Sequence, residues 1–289
     1  QAEAVSLREV GAALDALPPL GAAWRDLVSL AARYYQRSLG EVALSALPPQ
    51  LRDLSALQLA RRLKRRDNAT HAEAAAPAPG PTPTTEQSQA LARVAAEPGP
   101  FLLFGSTGSG KTEVYLRAVA SMLERDPQAQ ALVMVPEINL TPQLEARFAE
   151  RFGAGAVVSL HSGMTNPQRL ASWLAAHMGT ARIVLGTRMA VFASMPHLAL
   201  IVVDEEHDPS YKQQEGARYS ARDLAVWRGR REGAKVLLGS ATPSLESWHQ
   251  SRPPSADDAG GRYTRLAMPS RIRDLAGGGE AALPAVRLG

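Results

Sequence analysis

The sequence predicts an α/β fold, a parallel sheet flanked by helices, and three observations carry that prediction. Short apolar runs alternate with helical patterns from residue 101 onward: FLLF at 101–104, ALVMV at 131–135, AVVSL at 156–160, RIVL at 182–185, LALIVVD at 198–204 and KVLLG at 235–239. Unbroken apolar runs of this length suit strands covered on both faces, as in a parallel sheet with crossover helices. The glycine-rich octapeptide GSTGSGKT follows the first run directly and leads into a helical pattern. The tetrad Asp204, Glu205, Glu206 and His207 follows LALIVV, at the strand end where parallel sheets bind their ligands.

Taken from the N-terminus, residues 1–71 read as a small, mainly helical segment. Leu27, Leu30, Ala31, Tyr34 and Tyr35 recur at helical spacing, and Pro18, Pro19, Pro48 and Pro49 interrupt. The segment runs into Arg61, Arg62, Lys64, Arg65 and Arg66, a basic run that suits either water or phosphate groups. Residues 72–85, almost all Ala, Pro, Thr and Gly, are too poor in large apolar groups to repay ordering and predict a linker. Residues 86–250 carry the alternating strand and helix pattern. From 251 to 289, stretches such as SRPPSADDAGG and DLAGGGEAA lose both periodicities and predict a flexible exit segment.

Composition narrows the class. A chain of 289 residues with 45% apolar content has the means to bury a core. It contains no cysteine, which excludes disulfides and thiolate zinc sites within these residues. No apolar run of about 18 residues and no signal-like N-terminus appear, so the expectation is a cytoplasmic protein without a membrane partner. The net charge of +4 suits an anionic partner such as nucleic acid, and equally a solvated basic surface.

GSTGSGKT matches the phosphate-binding pattern GxxxxGK[ST] in its required setting, after a strand and before a helix. Gly105, Ser106, Thr107, Gly108, Ser109 and Gly110 let backbone N–H groups close around a phosphate chain. Lys111 reaches the terminal phosphates, and Thr112 supplies a hydroxyl for magnesium. ATP and Mg²⁺ are therefore the expected cofactors. Many reaction classes share such a loop, and DEEH narrows the field: Asp204 is assigned to the metal and Glu205 to the attacking water. Glu206 and His207 are assigned to relaying the nucleotide state. GSATPS at 239–244 ends the last strand run, with Ser240 and Thr242 able to hydrogen-bond the acidic cluster.

These motifs, in this order, resemble superfamily 2 helicases, and DEEHDPSYKQQEGARYSARDLAVWR at 204–228 resembles the primosomal protein N′ (PriA) family of replication-restart helicases. AARYYQRSLGEVALSALPPQLR at 31–52 resembles the end of that family's 3′ DNA-binding domain, and EQSQAL at 86–91 the segment before its phosphate loop, where Gln87 reads adenine. The resemblance implies a RecA-like lobe preceded by a small helical DNA-binding segment. It implies an ATP-dependent 3′ to 5′ DNA helicase acting in replication restart and primosome assembly at stalled forks. An ATP-independent DNA-binding scaffold that recruits primosome proteins is the alternative.

By the same resemblance, VPEINLTPQ and GTRMAVF touch the DNA backbone through Thr141, Thr187 and Arg188. The aromatic-rich loop offers Tyr211 and Tyr219 for stacking on bases, among Lys212, Arg218 and Arg222 for phosphates. The implied partners are forked or single-stranded DNA, the single-stranded-DNA-binding protein and helicase-loading proteins, with a monomer as the default state. Met189 and Ser220 stand where the family usually has Ser and His, and the winged-helix region is reduced to the basic run and the linker. A second lobe with an arginine finger and cysteine-bound zinc is expected beyond this sequence. The chain by itself is therefore expected to bind ATP with little turnover.

Overall fold

The computed structural model describes residues 13–70 and 80–272, with backbone only for 65–70. Among these residues seven strands form one sheet in the order β3-β4-β2-β5-β6-β1-β7. They are β1 (Phe101–Gly105), β2 (Gln130–Met134), β3 (Val157–Leu160), β4 (Ile183–Gly186), β5 (Leu198–Val203), β6 (Lys235–Ser240) and β7 (Thr264–Met268). Every pairing is parallel. The first six fall where the apolar runs predict strands.

Side-chain alternation divides the core between the two faces of the sheet. Phe101 and Leu103 of β1 join one cluster with Val133, Leu185 and Val202. Against it lie α4 (Thr85–Ala96), α5 (Lys111–Arg125) and α6 (Pro142–Phe152), through Ala90, Val119 and Phe148 among others. Leu102, Met134, Ile201 and Leu238 point to the opposite face, where Leu224 and Ala225 of α8 (Ala221–Glu232) pack. On the β3 side, α7 (Asn166–His177) closes the sheet.

Helices α1 (Ala22–Tyr34) and α2 (Leu39–Ala46) share the α8 cluster through Trp24, Leu27, Val28, Ala31 and Val42. Trp24 Nε1 donates to the Phe192 carbonyl at 2.7 Å, and Arg231 pairs with Asp26 at 2.6 Å. The predicted helical segment is thus packed as a layer on the sheet domain rather than around a core of its own. The physical reason is size: two short helices with one apolar stripe each need an outside surface to cover it. Leu59 of α3 (Ala56–Thr70) reaches the lobe as well, buried with Leu170, Trp173 and Leu174 of α7. Arg65 and Arg66 lie outside the residues with described side chains, as do linker positions 72–79 and the end of the exit segment, 273–289.

The predicted flexible exit from residue 251 is corrected over Thr264–Met268, which pair with β1 along its whole length as the edge strand β7. Leu266 and Met268 are buried against the α4–α5 face, while Ala267 is exposed. An edge strand needs only this half-apolar alternation, which gives no unbroken run to detect.

Candidate active site

Strands β5, β6 and β1 are consecutive neighbours in the sheet, so the segments after their carboxyl ends share one edge. These are DEEH, GSATPS and GSTGSGKT, three stretches that lie far apart in sequence. The glycine-rich loop turns through Gly108 at φ +86° and Gly110 at φ +83°, conformations that favour glycine. It then opens α5, whose first residues are Lys111 and Thr112.

Lys111 is 9% exposed. Its ammonium donates to the Gly105 carbonyl at 3.0 Å and lies 3.7 Å from Glu205 Oε1, so one cation bridges the loop and the acids. Ser109 Oγ is buried without a hydrogen-bond partner, a free polar atom inside a loop built for anions. Thr112 is half-buried. Asp204 is mostly enclosed, and burial raises its carboxyl above the usual range; the Tyr115 hydroxyl and the Lys111 charge oppose that shift, and Glu205 adds to it. Glu205 sits at φ +45°, the left-handed region, which costs a non-glycine residue about 1 kcal/mol and is typical of functional turns.

The donor set suits magnesium. Among the described residues no cluster of three or more His, Cys, Asp or Glu groups gathers as a cation cage. A carboxylate after β5 and a hydroxyl at the start of α5 would fit Mg²⁺, which keeps several waters and takes substrate phosphates as ligands.

The rest of the tetrad is tied inward. The Glu206 side chain is fully buried and accepts from Ser244 N at 2.7 Å, Ser244 Oγ at 3.0 Å, Ser247 Oγ at 2.8 Å and Arg222 Nη1 at 3.3 Å. His207 Nδ1 lies 2.8 Å from Ser240 Oγ and its Nε2 lies 3.2 Å from Thr242 Oγ1. Thr242 N in turn donates to Ser240 Oγ at 3.0 Å. The residues assigned to coupling therefore fall into two sets: Glu206 is tied to α8 and to the start of α9 (Leu245–Gln250), and His207 to Ser240 and Thr242 at the end of β6.

Several expectations change. Tyr211 and Tyr219 are 3% and 8% exposed, so neither ring is available for stacking on bases in this structure. Tyr211 donates its hydroxyl to the Asp204 carbonyl at 2.6 Å. Tyr219 meets Phe192 edge-on at 5.0 Å, and burial pushes its phenol up to about 12 against the pull of Arg188. Arg222, expected on phosphates, is held by Glu206, Asp223 and Ser244. Arg188 donates to the Ser210 carbonyl at 2.7 Å, Thr187 is 2% exposed, and Thr141 caps α6 by accepting from Leu144 N.

Gln87 is spent as well. It completes a capping box with Thr84, and its amide donates to the Gly110 and Ser109 carbonyls at 3.3 and 3.4 Å. It braces the glycine-rich loop instead of presenting its amide to a base. Lys212 and Arg218 remain exposed, the former 5.3 Å over the Tyr35 ring.

Sequence reasoning missed two contributors. The stretch after β7 crosses the loop: Ser106 Oγ donates to Pro269 O at 3.2 Å, and Ile272 N to Gly108 O at 3.1 Å. Tyr115 donates to Asp204 Oδ1 at 2.7 Å. Its spacing of four from Lys111 was the available signal, since it places both residues on one face of α5.

The DEAD/DEAH box helicase model matches residues 84–250. The replication restart protein PriA of Bacillus subtilis is 42% identical over 172 residues, 60% of this chain and 20% of that protein. The Haemophilus influenzae PriA is 47% identical over 171 residues, 59% of this chain and 22% of that protein. The Treponema pallidum PriA is 36% identical over 220 residues, 75% of this chain and 32% of that protein. The chain thus spans about a fifth to a third of the length of these relatives. The parallel sheet with its flanking helices, the three motifs at one edge and the family match over more than half of the sequence lead to one assignment: the chain belongs to the DEAD/DEAH box helicase family and carries its RecA-like lobe.

Proposed function

We propose that this chain is the nucleotide-binding lobe of an ATP-driven DNA helicase of replication restart, moving 3′ to 5′ on forked or single-stranded DNA. The observation that carries the reading is the approach of Lys111 to Glu205 at 3.7 Å beside Asp204, which brings the phosphate cation and the acids to one edge. In that geometry the backbone N–H groups of 105–110 cradle the phosphates and Lys111 moves from the Gly105 carbonyl to the γ-phosphate. Asp204 and Thr112 would hold a magnesium ion, which would supply positive charge to offset the charge developing on the phosphates. Glu205 orients the attacking water and accepts its proton.

Kinship with PriA supports replication restart as the setting, and the exposed Lys212 and Arg218 on the loop after DEEH support contact with phosphates of DNA. Primosome proteins and the single-stranded-DNA-binding protein are proposed as partners on that kinship alone. Turnover by this lobe alone is expected to be slow, since an arginine finger from a second lobe contributes roughly 10³–10⁵ in rate.

The test is ATP binding by calorimetry for the wild-type chain and Lys111→Ala, followed by hydrolysis with and without forked DNA. Binding lost in the variant is the expected result. An unchanged affinity in Lys111→Ala overturns the reading, and DNA binding without any ATP binding favours the recruiting scaffold.

A further inference from the structure

Helix α5 begins with Lys111 and Thr112, and one turn later Tyr115 points back to the same strand edge. Tyr115 is 2% exposed, and its hydroxyl ends on Asp204 Oδ1 at 2.7 Å. The space it uses is made by Gly239 near the end of β6. A Cβ built there lies 1.7 Å from the Tyr115 hydroxyl and 3.4 Å from Asp204 Oδ1. Any other residue at 239 therefore displaces the phenol. Tyr211 fixes the backbone of the same acid by donating to its carbonyl at 2.6 Å. The phenol is the donor of this bond and the carboxylate its acceptor.

A buried tyrosine in a helix ordinarily finishes on a backbone carbonyl or water. Here the partner is a side-chain carboxylate at the mouth of the phosphate loop, and a glycine on a third element keeps the path open. We propose that Tyr115 is a positioning residue that holds the Asp204 carboxylate in the orientation needed to take magnesium, with Gly239 as the clearance that permits it. The inference rests on the reading of Asp204 as the metal-holding acid. It gives α5 three roles within five residues: phosphate cation, metal-side hydroxyl and orienter of the opposing acid.

The experiment is a magnesium titration of the thermal stabilisation given by ATP, using the whole chain, its Tyr115→Phe and Gly239→Ala variants, and Lys111→Ala as reference. Outer partners of a metal ligand typically change metal affinity by about 10- to 100-fold. Tyr115→Phe should raise the half-maximal magnesium concentration by about tenfold while metal-free ATP binding stays at the wild-type value. Gly239→Ala keeps the phenol, displaces its hydroxyl and should reproduce the shift, which decides the matter if the phenylalanine variant does not fold. A wild-type magnesium curve in a folded Tyr115→Phe chain overturns the inference and leaves Tyr115 as packing only. If ATP stabilises the wild type no more than Lys111→Ala, the nucleotide reading itself fails and takes this inference with it.

Discussion

The two halves of the DEEH tetrad behave differently although they adjoin in sequence. Asp204 and Glu205 meet the glycine-rich loop, where contacts are few: Lys111 stands 3.7 Å from Glu205 and Ser109 Oγ is unpartnered. Glu206 and His207 face β6, α8 and α9, where Glu206 alone accepts four hydrogen bonds. The first half keeps part of its polar capacity for a ligand: Asp204 takes the Tyr115 hydroxyl on its side chain, and Glu205 stands 3.7 Å from both Lys111 and His207. The second has already used its capacity within the protein, so its contribution is to stability and to linkage between elements. Adjacent acids on one turn thus divide into binding and wiring, and the left-handed turn at Glu205 separates them.

Lys111→Ala should have the largest effect on ligand binding and little on folding. Loss of a buried charge facing phosphate costs about 2–4 kcal/mol, on the order of a hundredfold in Kd. Calorimetry with ATP checks the affinity, and a urea melt checks that the midpoint is unmoved. Glu206→Ala should reverse the pattern. It leaves Arg222, Ser244 and Ser247 short of an acceptor and costs about 3 kcal/mol of stability, with ATP affinity near wild type. A Glu206→Ala chain that melts normally yet loses ATP would erase the division between the halves.

Tyr211 tests the border between them. Tyr211→Phe removes the hydroxyl that serves the Asp204 carbonyl, and its expected cost is about 1 kcal/mol in the same melt. Because the ring is buried, single-stranded DNA affinity should not change. A marked loss of DNA binding would show that the loop opens and that the ring works at the surface.

What the sequence made legible follows the same physics. Six strands were readable because each carries a nearly unbroken apolar run, fully buried in β2 and β4 and half-buried over most of the edge strand β3; β7, with Leu266 and Met268 inward and Ala267 outward, carries half that signal amid Pro and Gly. The three motifs announced the shared edge through their place after strands. Direction was hidden: an alternation of Tyr, Lys and Arg over 211–222 reads the same whether the loop folds outward to a ligand or inward to Asp204 and Glu206. The partner that decides lies about 20 residues or more away for Arg188 and Ser244. Tyr115 was hidden for a related reason, since its helical phase matches that of the core residues Val119 and Met122, and only the fold brings Asp204 to its hydroxyl.

The smallest predicted effect concerns the seam between the N-terminal layer and the lobe. His177 is 4% exposed, stacks on Trp173 at 4.7 Å, and lies 2.9 Å from the Pro18 carbonyl through Nε2 and 2.8 Å from Ser194 Oγ through Nδ1. Burial lowers its pKa below the ordinary 6.5, and the Pro18 carbonyl opposes that shift in part. The unfolded chain therefore binds the proton at a higher pH than the folded chain. Stability from the neutral ring is complete above the unfolded pKa and is lost as pH falls below it toward the depressed folded value. Melting temperature should accordingly drop more between about pH 7.5 and about pH 5.5 in wild type than in His177→Gln. Equal slopes would mean that the ring accepts a proton in place, and that the Pro18 contact survives as a charged hydrogen bond.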